Sequence, residues 1–115
     1  MSILWELIKR LYDEVYGARN GPRWIKVRNI VRKRDKVCQS CKGKYGRGRD
    51  VHHKNAWGWF KHLRYELSNL VFLCRRCHKG FHSWNGGTGK KCTNADFKKW
   101  MRLPLPKRVN PKVKK

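Results

Sequence analysis

The sequence predicts a small α+β protein in which bound metal supplements a modest hydrophobic core. A chain of 115 residues has room for one domain with a small core. Two Cys-x-x-Cys pairs, Cys38 with Cys41 and Cys74 with Cys77, offer four thiolates to one metal ion. Residue patterning gives the order strand, long loop, strand, helix, with further helices on both sides.

The charge balance indicates the partner. Thirty Lys and Arg against seven Asp and Glu give a formal net charge of +23. Such an excess repels itself unless a polyanion binds, so nucleic acid is the expected partner. An acidic membrane surface is the weaker alternative, because the chain has no long apolar run and no lipidation signal. The opening residues do not resemble a secretory signal, and paired cysteines suit a reducing compartment, so we expect a cytoplasmic protein of a prokaryote or a phage-infected cell.

The chain is predicted to divide into an N-terminal amphipathic helix within residues 1–20, a central domain at 21–102 and a basic Pro-rich tail at 103–115. The mild charge of the first helix predicts that its apolar face packs on protein, with the domain's own core favoured over a partner. The composition of the tail predicts an extended, solvated arm. The apolar positions of the helix, which is expected over residues 3–16, are Leu4, Leu7, Ile8, Leu11 and Val15.

The remaining elements follow from periodicity and turn signals. A second helix begins at Pro22 and runs to about Arg34, with an apolar stripe of Trp24, Val27 and Val31. Strands are expected at Arg49–His53 and Leu70–Leu73, a helix from Arg75 to about Ser83, and a last helix from Thr93 or Asn94 to about Met101.

The second helix carries almost only positive charges around its apolar stripe, whereas a solvated face normally mixes signs. We therefore favour phosphate contact over simple solvation. The predicted DNA-binding residues are Arg23, Lys26, Arg28, Arg32 and Lys33 on this helix, and Lys54 beyond it.

Two loops flank the first strand. Residues 42–49 are Gly-rich and basic but lack the spacing of a nucleotide-binding loop, so they are at best a mobile loop that faces phosphate. Residues 54–68 are rich in aromatic side chains. This segment is either a small core of its own, the favoured interpretation, or a stacking surface for nucleic acid.

The four paired cysteines predict a closed structural zinc site. Four sulfurs can surround one ion at about 2.3 Å. Soft thiolates in positive surroundings favour Zn²⁺, and four of them leave no position for water, so this ion implies no catalysis. Cys92 has no partner in sequence and is expected to be a small buried residue or a free thiol.

Several histidines are not needed by the cysteine site. His78 and His82 are four residues apart and share one face of the predicted helix. Together with His52 from the first strand they would form a three-imidazole metal site with positions left for phosphate and water. A lone histidine is usually an ordinary core or surface residue, and His62 is interpreted in that way.

The order Cys-x-x-Cys, His52-His53, Asn69-Leu70 and Cys-x-x-Cys-His78 resembles the HNH endonucleases over about residues 23–82. The resemblance implies a ββα-metal fold (His-Me finger) with flanking helices. It implies that His53 is the general base, that Asn69 holds the loop and the base in position, and that His78 is the last residue of the triad and a metal ligand.

The chain departs from the common family pattern at two positions. His52 stands where many members have Asp, which makes the site similar to the colicin-type nucleases, whose metal is held by three histidines. By that resemblance His52, His78 and His82 are the ligands of the catalytic ion. Ala56 stands where many members have Pro, three residues after the base.

The chemistry of these residue types then gives an expected function. An imidazole with a pKa of about 6.5 can take a proton from water, while a divalent ion (Mg²⁺, Mn²⁺, Ni²⁺ or Zn²⁺) stabilises the charge on phosphate and leaving oxygen. We expect hydrolysis of phosphodiester bonds in double-stranded DNA, by nicking or double-strand cutting, in a stand-alone nuclease of a phage or mobile element. A non-catalytic zinc-knuckle DNA-binding protein and an RNA-binding protein are the alternatives, but neither accounts for the histidines and Asn69.

Overall fold

The computed structural model describes residues 3–16, 21–110 and 112–113. Each helix and strand lies within one residue of its predicted limits, so the predicted α+β class is confirmed. The described elements, in chain order, are α1 (Ile3–Tyr16), α2 (Pro22–Asp35), β1 (Gly48–His53), β2 (Leu70–Cys74), α3 (Arg75–Trp84) and α4 (Asn94–Met101). Short 3-10 turns lie at Lys61–Leu63, Leu67–Asn69 and Leu105–Arg108.

Strands β1 and β2 pair antiparallel, with His53 opposite Leu70 and His52 opposite Val71. All of β2 is buried because both faces of the hairpin are covered. Side chains alternate between the faces of a strand. The β2 residues Leu70 and Phe72 therefore pack toward α2, while the intervening ones join a larger core with α3 and α4.

Helix α4 is held in place by both of its ends. Its predicted capping residue, Thr93, accepts a hydrogen bond from the Asp96 N–H at 3.3 Å, and the Asp96 carboxylate accepts one from the Thr93 N–H at 3.0 Å. The helix then buries Phe97 and Trp100 against Phe81 of α3. This packing places the segment before α4 beside the end of β1.

The prediction of an extended, solvated tail is wrong for residues 103–110. Leu103, Leu105 and Val109 pack against the core that contains Trp100. The chain also crosses α3 so closely that a β-carbon on Gly80 would collide with the Arg108 carbonyl. The Pro- and Lys-rich composition predicted a solvated segment. The free energy gained by burying these three apolar side chains is larger than that gained by solvating the segment. Residues 111, 114 and 115 lie outside the described residues.

The expectation that α1 packs on the domain's own core is also wrong. Its apolar side chains from Ile3 to Tyr12 are between 47% and 81% exposed, because α2, α3 and α4 already cover the two faces of the hairpin. The Tyr12 hydroxyl accepts a hydrogen bond from Lys61 at 3.2 Å, and Val15 lies outside the residues whose side chains are described. A protein partner for this face stays a prediction. Within the described ranges, neither α1 nor another helix has the length and apolarity to cross a membrane.

Candidate functional site

The four paired cysteines come together at one end of the hairpin. Cys38 and Cys41 lie on the turn after α2, Cys74 ends β2, and Cys77 lies in the first turn of α3. All four are buried, and their sulfur atoms lie within 4.8 Å of one another. The Sγ atoms of Cys41 and Cys74 are 3.8 Å apart. A tetrahedron with zinc–sulfur bonds of about 2.3 Å has edges of about 3.8 Å, so the cluster fits a zinc ion.

Backbone donors and burial set the protonation of these thiols. The N–H groups of Cys41 and Cys77 point at the sulfurs of Cys38 and Cys74, at 3.5 and 3.4 Å. A hydrogen bond from the Cys77 thiol, followed by backbone donors, lowers the pKa of Cys38 to about 4. Burial raises the pKa of Cys74 to about 11. One thiolate is thus favoured, and further thiolates in this space require a cation.

Three histidines converge on the other side of α3. His78 and His82 lie one helical turn apart, and their Nε2 atoms are 3.1 Å apart. His52 reaches them from β1, so that one nitrogen of each ring lies within 4.8 Å of the others. Nitrogens bound to one ion at about 2.0–2.1 Å are separated by roughly 2.9–3.4 Å, so the pair on α3 already has the spacing of metal ligands.

The environment of His52 suits a metal ligand. Its side chain is buried, and its Nε2 has no hydrogen-bond partner among the described residues. Burial, reinforced by the neighbouring His78 and His82, holds the pKa of His52 well below its usual value. The ring is therefore neutral, which is the form that binds metal.

Asp50 is a member of this group that the sequence reasoning missed. Its Oδ2 lies 3.0 Å from Nδ1 of His78, and that hydrogen bond is the main reason why the pKa of Asp50 is lowered. A carboxylate on Nδ1 fixes the ring so that Nε2 points at the metal position. The signal was available, because Asp50 is two residues before His52 and so on the same face of β1.

His53 is on the opposite face of β1 and is held by different contacts. Its Nε2 lies 2.9 Å from the backbone carbonyl of Arg64. Because a carbonyl only accepts, Nε2 carries the proton and Nδ1 is the basic nitrogen. Trp24 stacks on the ring at 5.0 Å between centroids, and Trp57 meets it edge-on at 5.2 Å.

Asn69 connects the ends of the loop that supplies this carbonyl. Its Oδ1 accepts hydrogen bonds from the backbone and side-chain amides of Asn55, at 2.8 and 3.0 Å. Its Nδ2 donates to the carbonyls of Asn55 and Leu63, both at 3.1 Å. Asn55, which the sequence reasoning also missed, then accepts from the Asn94 N–H at 2.9 Å and so anchors the loop on α4.

The aromatic residues of this loop mostly form a small core of their own, as favoured from the sequence. Trp57 packs edge-on against Tyr65, and the Arg64 guanidinium lies over the Trp57 ring at 4.5 Å. Trp59 differs, since it is 59% exposed. At 2% exposure, Cys92 is a buried residue as expected, and its thiol points at the His53 carbonyl at 3.8 Å.

Residues 38–83 match the family model of the HNH endonucleases. This segment is similar to the HNH domain, and the match spans 46 of the 115 residues. The match begins later than residue 23, where the sequence resemblance was placed, but it contains both metal clusters, His53 and Asn69. No curated protein and no solved structure matches the chain. The family indicates nuclease activity in general.

The predicted DNA-binding helix α2 precedes the matched segment. At about 100° per residue, Arg23, Lys26 and Lys33 lie on one flank of its buried stripe, and Arg28 and Arg32 lie on the other. All but Arg28 are exposed. The structure thus divides these five residues between two surfaces.

Some of these cations already contact the protein. The Arg23 guanidinium lies over the Tyr65 ring at 4.4 Å, and Arg32 donates to the Arg49 carbonyl at 3.2 Å. Lys54 donates to the Ser68 carbonyl at 3.0 Å and is only partly exposed. These contacts orient the charges without neutralising them.

An open cavity of about 450 Å³ brings four of these histidines to one surface. Its lining residues include His52, His53, His78, His82, Trp24 and Trp57. The separate environments on the two faces of β1 therefore meet where a substrate can reach them.

Proposed function

We propose that this protein is a metal-dependent endonuclease that hydrolyses phosphodiester bonds in double-stranded DNA. The carrying observation is that one cavity is lined both by a trio of converging imidazoles and by a separately oriented imidazole, His53. The formal charge of +23 supplies the attraction for a polyanionic substrate. The biological setting we propose is the cytoplasm of a prokaryote or infected cell, with the protein encoded by a phage or mobile element.

In this proposal His53 is the general base. Its Nδ1 accepts a proton from the attacking water, while its Nε2–H remains bonded to the Arg64 carbonyl. The imidazolium that forms is stabilised by this carbonyl and by the face of Trp24. The proton then passes to solvent at the open cavity. No rotation of the ring is needed during the reaction.

His52, His78 and His82 would hold the catalytic divalent ion. When bound, that ion supplies charge stabilisation at the phosphate and at the leaving 3′ oxygen. Imidazole ligands suit Zn²⁺ and Ni²⁺ better than Mg²⁺, with Mn²⁺ also to be tested. The zinc proposed for Cys38, Cys41, Cys74 and Cys77 has a structural role, because buried thiolates leave no open position.

Asn69 acts on the base at a distance in this scheme. It fixes the loop whose Arg64 carbonyl orients His53, and it does not itself face the lone pair of the base. The cations of α2, with Lys54, would bind the DNA backbone. A single site of this kind cuts one strand in each encounter, so nicking is the expected first product.

The test uses supercoiled plasmid and zinc-loaded protein with added Mg²⁺, Mn²⁺, Ni²⁺ or Zn²⁺. His53→Ala should lower the nicking rate by roughly 10²- to 10⁴-fold and leave DNA affinity unchanged. His62→Ala is the matched control. Because His62 is exposed, this variant should cut DNA at the wild-type rate.

The possible failures are distinct. Plasmid that stays intact with wild-type protein under every metal would contradict the nuclease proposal and favour the DNA-binding alternative. Equal nicking by His53→Ala and His62→Ala would leave the nuclease proposal standing and remove His53 as the base.

A further inference from the structure

A second cavity, of about 410 Å³, lies at the start of β1, at the far end of that strand from His53. Four of its seven lining residues are arginines. The complete lining is Tyr45, Gly46, Arg47, Gly48, Arg49, Arg75 and Arg76, and we name it the arginine cleft. None of its arginines belongs to the DNA-binding set predicted from the sequence.

The arginine cleft carries an excess of positive charge. Among the described residues, no carboxylate lies within ion-pair distance of Arg47, Arg49 or Arg75. Asp50 is the nearby acid, and its carboxylate is bonded to His78. Arg76 differs from the other three, because its Nε donates to the Val113 carbonyl at 2.6 Å. Arg49 and Arg75 act on Asp50 only at longer range, where they help to lower its pKa. Three exposed guanidinium groups are thus left without an ion-pair partner among the described residues.

Two glycines give the cleft its shape. A β-carbon on Gly48 would collide with the Phe72 ring, and one on Gly46 would lie 3.2 Å from the Cys74 β-carbon. The loop backbone therefore lies directly against β2 and the cysteine cluster. Because the floor is anchored on buried residues, the arginines project from a fixed surface, which lowers the entropy cost of binding.

We propose that the arginine cleft binds backbone phosphates of the DNA duplex, as a second contact site beyond the histidine cavity. This deepens the proposed function and rests on it. Guanidinium groups present planar forks that match phosphate oxygens in pairs, which a lysine ammonium does not do. The use of arginine at all four charged positions therefore fits phosphate recognition better than general solubility.

The position of the cleft suits DNA that is already held at the histidines. Arg49 precedes His53 by four residues, so about 13 Å of strand separates their backbones. This equals the rise of about four base pairs at 3.4 Å each. Arg32 of α2 donates to the Arg49 carbonyl at 3.2 Å, so the cleft is continuous with one flank of the basic helix.

The experiment measures binding by fluorescence anisotropy on a labelled duplex, in zinc-loaded His53→Ala protein, between about 50 and 200 mM salt. The cleft variant combines Arg47→Gln, Arg49→Gln and Arg75→Gln. The control combines Lys99→Gln, Arg102→Gln and Lys107→Gln, which are exposed positions on α4 and after it. Both variants lose three charges, so both go from +23 to +20 (23 − 3).

The cleft variant should bind roughly 10- to 100-fold more weakly at about 0.1 M salt, and the slope of log K against log salt should fall by about 0.9 for each lost phosphate contact. The control should retain the parent slope. Arg47→Gln alone, in the exposed loop, should lower the slope by about one. This single variant replaces the triple variant in the test if the triple variant loses zinc or has a lowered melting temperature.

Equal slopes for the cleft and control variants would overturn the proposal, even in a protein that nicks plasmid. A selective loss of slope in a protein that never cuts DNA would uphold the cleft and contradict the nuclease. The same loss on single-stranded DNA with none on the duplex would overturn the duplex assignment.

Discussion

The cysteine and histidine clusters lie on different sides of the same helix, α3, and differ in their exposure to solvent. Cys77 and His78 are neighbours in sequence, and adjacent residues on a helix point about 100° apart. All four cysteines are buried, whereas His78 and His82 are only partly buried and line a cavity. A closed set of ligands suits an ion with a structural role, whereas an ion can take part in a reaction only where its site stays open to substrate.

The largest effect is expected from a substitution in the cysteine cluster. Cys77→Ser removes one ligand of the proposed zinc, which would join α3 to the turn after α2. Structural zinc is worth about 10 kcal/mol or more in small zinc domains. We expect a protein that holds no zinc at the cysteines and is unfolded at 25 °C. Bound zinc by mass spectrometry and far-UV circular dichroism would check this.

Two variants are the controls for Cys77→Ser. Cys92→Ala removes a buried thiol outside both clusters and should keep the zinc, while His78→Ala should keep both the fold and the cysteine-bound zinc. A folded Cys77→Ser protein, or an unfolded His78→Ala protein, would reverse the roles assigned to the two clusters.

An intermediate effect is expected on the histidine side alone. Asp50→Asn keeps the shape but removes the charge that holds Nδ1 of His78, and loss of such a partner typically costs 10- to 100-fold in metal affinity, about 1.4–2.7 kcal/mol. Titration calorimetry with Ni²⁺ on zinc-loaded protein measures it. Asp96→Asn, at the α4 cap, is the acidic control and should bind Ni²⁺ like the parent. Unchanged affinity in Asp50→Asn would show that the carboxylate does not support the ligand.

The smallest effect is expected on the free energy of unfolding, from a change at Asp35, near the cysteine cluster. Asp35 accepts hydrogen bonds from Arg34 at 2.7 Å and from the Phe72 N–H at 2.9 Å. Burial alone would raise the pKa of Asp35, but these bonds outweigh it and the pKa is lowered. A lowered carboxyl pKa stabilises the folded state above the unfolded value of about 4, and this contribution disappears as pH falls through the folded value.

Asp35→Asn should therefore lower the free energy of unfolding by about 1–2 kcal/mol at pH 7, with the difference constant down to about pH 5 and shrinking below about pH 4. Urea unfolding across pH measures the difference between the two proteins. Nicking at 25 °C should be unchanged at pH 7, because Asp35 contacts neither His53 nor the histidine cluster. A difference that grew toward low pH would contradict the assigned ion pair.

The sequence predicts local structure and both metal clusters well, for a physical reason. Cys-x-x-Cys and the four-residue step from His78 to His82 encode ligand geometry within a single turn. Helix and strand periods are equally local. The element that packs on an apolar face is usually distant in sequence. The exposure of α1 and the packing of Leu105 were therefore missed.

The environment of His53 was missed for a related reason. A backbone carbonyl such as that of Arg64 has no signature in the side-chain sequence. Trp24 was identified only as part of the apolar stripe of α2, because its contact with His53 depends on how α2 crosses the hairpin. The residues that orient His53 thus come from tertiary packing, while His53, the proposed base, comes from the motif.

The adjacency of His52 and His53 limits how this site can change over evolution. Because neighbouring strand residues face opposite ways, inserting or deleting one residue between Asp50 and His53 would exchange the metal-facing and the Trp24-facing positions. The irregular pairing between Gly48 and Asp50 places the tolerance for length change before this stretch. Descendants of this site can therefore vary by substitution from Asp50 to His53, and by length only outside these four residues.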